Sequence, residues 1–585
     1  MAARLTAYVV VGIVAATLIA GLIVGAQRGD TDGPVDVIVH NAKVYTAGPD
    51  GTMAEAVAIR GNQILRVGSE REIMRLRRPQ TSMIDAKGAA VVPGFNDAHL
   101  DFIAGGLSLD RVDLNGADTL DEVQARIRNW APAHADSPWV LGRGWDSEPF
   151  SGGLPTRQQL DAIVPDRPAQ IVSHDGHTSW VNTRALKLAK ITRKTKDPVS
   201  GTIVRDSRTG EPTGVLKEAA VALVADHVPQ MTRAERASAL RAAIGEAQRH
   251  GITSVQNATG PASDFEIYAD ARRDGDLGVR VFSTVSAPQT LTESALADLG
   301  RIGKQYPDDP LFKTGAVSIM LDGVIEAHSA AMLEPYADVD GAAALSIEAA
   351  GAPTIAADDL NRTVRLLDAG GWQVMTHATG DRAVNMALTA YEHAVRSNPL
   401  PERGRRHRIE GVEAIDGADV PRFGALGVIA SMQPGLGSPA ESRMDLWSRT
   451  VGPERSSRAW SYGSISATAG RLAFGSDWPG APLSPMFGLH TAVTRTTPEG
   501  LPEGGWYPSE QMALKSAIDA YTFGAAWASF DEQRKGTLAA GMLADLVVLS
   551  EDIFEAPPSR LASTRVAVTI FDGRIVYRRN GAETN

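Results

Sequence analysis

Eight short β runs alternating with helical stretches, two β-rich ends of similar texture and an apolar N-terminal segment predict an α/β chain built on a TIM (β/α)8 barrel. The β-rich ends predict a small β-sandwich domain assembled from both termini. A long interval after the first barrel strand predicts an inserted subdomain, and the apolar segment predicts an N-terminal transmembrane helix. A chain of 585 residues is too long for one ordinary core, so several folded units are expected.

The apolar segment comes first. The 23 residues between Arg4 and Arg28 carry no charge and are mostly Val, Ile, Leu, Ala and Gly. At about 1.5 Å per residue, a helix of that length reaches more than roughly 30 Å, enough to cross a bilayer core. Residues 5–27 are therefore expected to be a transmembrane anchor or, given the short basic start, a secretory signal peptide. Both place the bulk of the chain outside the cytoplasm. It would be a single-pass protein of the cell membrane with an extracytoplasmic main domain, or a secreted protein if the segment is cleaved.

The sandwich is expected from residues 35–88 and 536–580. Val35–Val39, Ala56–Ile59 and Ile64–Val67 read as strands, the last two joined by the turn Arg60-Gly61-Asn62-Gln63. Near the other end, Leu543–Leu549 and Val566–Phe571 read the same way, with Asp572-Gly573-Arg574 as a turn.

Residues 89–535 are expected to form the barrel. Its strands are read at Ala89–Phe95, Ile252–Gln256, Val279–Phe282, Gly315–Leu321, Gln373–His377, His407–Glu410, Val428–Met432 and Leu472–Asp477. In a TIM barrel the chemistry sits at the C-terminal strand ends, where the polar residues of these runs fall. The interval of about 103–230 is too long for one βα connection and is read as the insertion.

Composition narrows the function classes. A net charge of −11 argues against a nucleic-acid partner, which needs a basic face. The absence of cysteine removes thiolate nucleophiles, cysteine metal sites and disulfides.

The most informative stretch is Val91-Val92-Pro93-Gly94-Phe95-Asn96-Asp97-Ala98-His99-Leu100-Asp101. An apolar run ends at a Pro-Gly turn and then presents His99 and Asp101 at i and i+2. On a strand that spacing puts both side chains on one face, where they could grip one metal ion. The stretch resembles the P-G-F-x-D-x-H-x-H of the amidohydrolase superfamily. Gly536-Thr537-Leu538 … Gly541 … Ala544-Asp545-Leu546-Val547-Val548-Leu549 is similar to that superfamily's C-terminal motif. Gly142-Arg143-Gly144-Trp145-Asp146, Leu154-Pro155-Thr156 and Asp175-Gly176-His177 … Asn182 resemble its family-3 branch, which includes the N-substituted formamide deformylases. The resemblance runs from about Val35 to Tyr577.

It implies a metal-dependent hydrolase with ligands on barrel strands one, four, five, six and eight. This chain keeps His99, His377 and Asp477. It has Asp101 for the second histidine, Ser318 for the strand-four lysine and Gly411 for the strand-six histidine. Without the lysine, a two-metal site is not expected. His99, Asp101, His377 and Asp477 would hold one divalent ion, zinc or, given the oxygen share, manganese. Asp477 is also the expected general base, with Glu410 or His328 as alternatives if it is only a ligand. His177, Arg382 and Glu410 are expected to contact a small-molecule substrate. His174 and His407 fit no ligand position. The function implied is hydrolysis of a non-peptide carbon–nitrogen bond. The alternative is a catalytically inactive barrel that binds a ligand or partner at the membrane.

Overall fold

The computed structural model describes residues 34–580 except 174, 175, 177, 199–200, 289–290 and 340–346. The expected membrane segment, residues 5–27, lies outside the described residues, as do His174 and His177. Among the described residues, no helix is long and apolar enough to cross a membrane.

Eight parallel strands form the barrel: β1 (Phe95–Leu100), β2 (Ile252–Asn257), β3 (Arg280–Ser286), β4 (Phe312–Met320), β5 (Gln373–Ala378), β6 (Arg408–Gly411), β7 (Ile429–Met432) and β8 (Arg471–Phe474). Each is hydrogen-bonded to the next in sequence order. Loop bonds tie the remaining edge: Asp477 N donates to His99 O at 2.8 Å, and Asp101 N to Trp478 O at 2.8 Å. Glycine at 475 permits this approach, because a Cβ there would lie 2.4 Å from His99 N. Helices pack outside with one apolar face inward. Asp381–Ser397, for example, buries Ala383, Val384, Ala387, Leu388, Tyr391 and Ala394 at helical spacing.

Register sorts the inward side chains into layers. Ser318 of β4 lies level with Met375 of β5 and Arg408 of β6. One layer higher, Met320, His377 and Glu410 are level, with Ser431 of β7 beside Glu410. Partners in register on parallel strands share a face, so this upper layer opens at the barrel mouth.

Two further sheets pack together beside the barrel. One has the strand order Gln63–Gly68, Ala56–Arg60, Val37–His40, Ser82–Asp85. The other runs Arg574–Arg578, Val566–Phe571, Leu546–Leu549, Ala90–Pro93, Lys43–Tyr45, Met53–Ala54 and so joins both chain ends. Val39, Val57, Ile59, Val91, Leu546, Val548 and Ile570 share the core between them. Arg280 of β3 clamps Asp545 with bonds of 2.7 and 3.0 Å, a buried bidentate pair that fixes this unit to the barrel.

The expected first barrel strand is corrected here. Ala90–Pro93 belongs to the second of these sheets, and the barrel strand starts at Phe95. The break falls at Gly94, where a Cβ would meet Thr253 Oγ1 at 2.2 Å. Val91 faces the sandwich core and Val92 the barrel-side core, so one apolar run serves two units.

Between β1 and β2 lies a six-stranded mixed sheet, ordered Gly201–Arg205, Pro212–Glu218, Thr178–Val181, Ala169–Ser173, Val140–Trp145, Val112–Asp113. It has its own core of Val112, Val123, Ile127, Val140, Leu160, Ile171 and Trp180. The helix Leu120–Ala133 that packs on it is capped by Thr119, whose side chain accepts from Glu122 N.

Candidate active site

The site gathers where β1, β5, β6 and β8 end. His99, near the end of β1, is clamped from one side: its Nδ1 lies 2.7 Å from Glu410 Oε2. Its Nε2 faces Asp477 Oδ1 at 3.4 Å. Glu410 is buried and pressed against the fully buried Arg408, whose Nη2 donates to Glu410 Oε2 at 3.2 Å. Arg408 Nε lies 2.8 Å from Glu410 Oε1, a charge contact without hydrogen-bond alignment. Arg408 is itself fixed by donating to Ala98 O at 2.7 Å and Ser431 Oγ at 2.8 Å.

Electrostatics follow from this packing. Burial opposes charge on His99, but the hydrogen bonds to Asp477 and Glu410 bring its pKa up to about 10. Burial alone would raise Glu410, yet Arg408 and His99 hold it below the usual carboxylate range. Burial, and then the positive charge of His99, push His377 down to about 4, leaving it a neutral imidazole at pH 7. Its Nε2 lies 3.2 Å from Thr379 Oγ1. Asp322 steadies that loop, accepting from Thr379 N and Gly380 N at 2.9 Å each.

Asp477 sits in a turn with φ of 62°, a left-handed conformation. It does not cap the next helix, because Ser484 does that for Pro485–Thr494. The turn is held by Asp97, buried in β1, which accepts from Ser476 N at 3.0 Å and His99 N at 3.2 Å. The Asp477 side chain stays 39% exposed and so remains open to the cavity.

Two expected site residues are placed elsewhere. Asp101 is not beside His99: β1 ends at Leu100, and the register with β2 slips between Val255 and Asn257, so alternation stops before Asp101. Asp101 instead precedes the helix Phe102–Ser108 and accepts a hydrogen bond from Thr259 Oγ1. Glu410 does not reach a substrate position either, because it is buried beneath His99 and orients that ring. Arg382, half-buried at the start of Asp381–Ser397, makes no side-chain hydrogen bond or ion pair among the described residues. His328 is taken up by Asp338 at 2.8 Å, and His407 is buried against Asp368 at 3.1 Å. Gly411 has φ of 97°, a conformation a histidine there would adopt only with strain. Ser318 lies one layer below the mouth.

One pair of these side chains has the spacing of donors to a common ion. Two donors about 2.0–2.2 Å from a tetrahedral Zn²⁺ lie about 3.3 Å apart, and His99 Nε2 and Asp477 Oδ1 are separated by 3.4 Å. A carboxylate on the far ring nitrogen is the usual support of a metal-binding histidine, and Glu410 occupies that place. His377 would be the third donor. Among the described residues, no three His, Asp or Glu side chains are already drawn together as a cage.

The sequence did not single out Asp97, Arg408 or Arg143 for the site. Asp97 and Arg143 stood inside quoted motifs. Arg408 gave no signal, because its role depends on burial.

The amidohydrolase family profile matches residues 82–577. Protein LONG AFTER FAR-RED 3 of Arabidopsis thaliana is 32% identical over 555 residues, spanning 93% of this chain and 91% of its own. N-substituted formamide deformylase of Arthrobacter pascens is 28% identical over 559 residues, spanning 94% and 99%. An uncharacterized metal-dependent hydrolase from Pyrococcus horikoshii OT3 superposes with a TM-score of 0.71 over 89% of this chain and 99% of its own. Its 24% identity speaks for the fold alone. By the span of the family match and the shared barrel, the chain belongs to the amidohydrolase family of hydrolases, in its family-3 branch.

Proposed function

We propose that this chain hydrolyses an amide-type carbon–nitrogen bond, other than a peptide bond, in a small molecule with the help of one divalent metal ion. The observation that carries this is His99, held by Glu410 on one nitrogen and turned toward Asp477 with the other. His99, Asp477 and His377 would hold the ion. A bound Zn²⁺ or Mn²⁺ would polarise the substrate carbonyl and lower the pKa of water at that point. Asp477 then takes the proton of the attacking water and returns it to the leaving nitrogen. Glu410 and Arg408 keep the His99 ring oriented throughout. The formamide deformylase among the relatives supports an amide-type substrate.

The test is a screen of the purified protein, with Zn²⁺ or Mn²⁺ added, against formamides, N-acyl amino acids and cyclic amides. Metal-dependent release of amine is expected. No hydrolysis of any of them would favour the inactive binding barrel. Elemental analysis should return at most one tightly held ion per chain, lost in His99→Ala and His377→Ala. Two tightly held ions would overturn the single-metal reading.

Residues 5–27 support a location at the cell membrane with the main domain extracytoplasmic, or secretion after cleavage. The full chain is expected in the membrane fraction, or outside the cell if processed. Deleting residues 1–33 should leave a folded, soluble protein. Recovery of the intact full chain from the soluble cytoplasm would overturn this.

A further inference from the structure

The inserted subdomain brings two arginines toward the barrel mouth that the hydrolytic steps above do not use. Arg143 lies in the strand Val140–Trp145, level with Asp113 of Val112–Asp113. Arg111 stands one residue before Val112–Asp113, close enough to Arg143 to feel its charge. Tight packing fixes these strands around Arg143. A Cβ at Gly142 would come within 2.7 Å of Val112, and one at Gly144 within 2.6 Å of the Asn115 side chain. Through Nη1, Arg143 donates to the carbonyl of Pro479, two residues beyond Asp477. That bond crosses from the insertion to the β8 loop and holds the guanidinium within electrostatic reach of Asp477.

Carboxylates lie near both arginines, Asp110 for Arg111 and Asp113 and Asp477 for Arg143, but none of them closes a direct pair. Both are half-buried, and among the described residues neither forms an ion pair. The nearby carboxylates are engaged elsewhere: Asp110 pairs with His134 at 3.0 Å, and Asp113 accepts from Asn115 N at 3.0 Å and Asn115 Nδ2 at 2.7 Å. Arg111 also feels the like charge of Arg143, and burial lowers the pKa of both. Two neighbouring guanidiniums, partly withdrawn from water and without a direct ion pair, favour binding an anion. In the mouth, Met320 is level with His377 and 52% exposed, offering an apolar contact for the remainder of a ligand.

We propose that Arg143, with Arg111 beside it, is an anion subsite, so that the amide hydrolysed here carries a carboxylate held by the inserted subdomain. This rests on the hydrolase reading above, and the test separates the two. The full chain is stripped of metal with a chelator so that no turnover occurs. Binding of N-formyl-leucine and of its methyl ester is then measured by isothermal titration calorimetry. The acid is expected to bind about tenfold or more tightly than the ester, as a charge-assisted guanidinium–carboxylate contact allows. Arg143→Met should bring that ratio close to one, and Arg111→Met should narrow it. Should Arg143→Met fail to fold, Arg111→Met carries the test, because that side chain makes no hydrogen bond or ion pair among the described residues. Equal binding of acid and ester by the wild type, or an undiminished ratio in the folded variants, overturns the subsite. Acid-selective binding without metal-dependent hydrolysis of any amide overturns the hydrolase reading and leaves the subsite standing.

Discussion

Asp477→Asn should cut turnover by about a hundredfold or more, the size expected for a lost general base, with its main effect on kcat. An amide cannot accept a proton from attacking water at neutral pH, yet it nearly matches the carboxylate in size. The fold should survive for a local reason. Residue 477 sits at φ of 62°, and asparagine is among the few residues that tolerate that region. The backbone bond from residue 477 N to His99 O at 2.8 Å is untouched by the change. Steady-state kinetics on any amide the wild type hydrolyses would decide it. A variant as fast as the wild type would remove Asp477 from the chemistry.

Glu410→Ala should be the most damaging change to stability. It strips the counter-charge from Arg408, which is fully buried beside it. Removing one partner of a buried ion pair costs about 3–5 kcal/mol, because the other charge stays out of water. It also frees Nδ1 of His99, and loss of such a support weakens metal affinity by about 10–100-fold. Glu410→Gln should cost less stability, since the amide oxygen can still accept a hydrogen bond. Denaturant unfolding and metal titration read the two effects separately. An unfolding midpoint equal to wild type would mean that Arg408 finds another partner.

The barrel could be read from the sequence because its strands announce themselves locally. Runs such as Ile252–Asn257 and Gln373–Ala378 mix β-branched and apolar residues with polar ones near the strand ends, and turns and helices separate them. The positions of His377 and Asp477 at strand ends were legible through intact motifs. Asp101 was misplaced for a physical reason: the i, i+2 rule holds only while the strand lasts, and β1 ends one residue before it. Glu410 was read as facing substrate, because nothing in Arg406-His407-Arg408-Ile409-Glu410 shows that Arg408 is buried and pulls the carboxylate beneath His99. Arg143 stood in a quoted motif but was not singled out, because 336 positions separate it from Pro479, whose carbonyl it meets.

The run from Ala90 to Leu100 enters two units with only Gly94 between them, and this shapes how the chain matures on the ribosome. One edge of Ala90–Pro93 is closed only by Leu546–Leu549, a strand synthesised long after it. Until then the hydrogen-bonding edge that leads directly into β1 stays open, a template for pairing with another chain. His99 is thus translated early and tied down late. Vectorial closure is open to the inserted subdomain, which is one continuous stretch with its own core, but not to the sheet that Leu546–Leu549 completes.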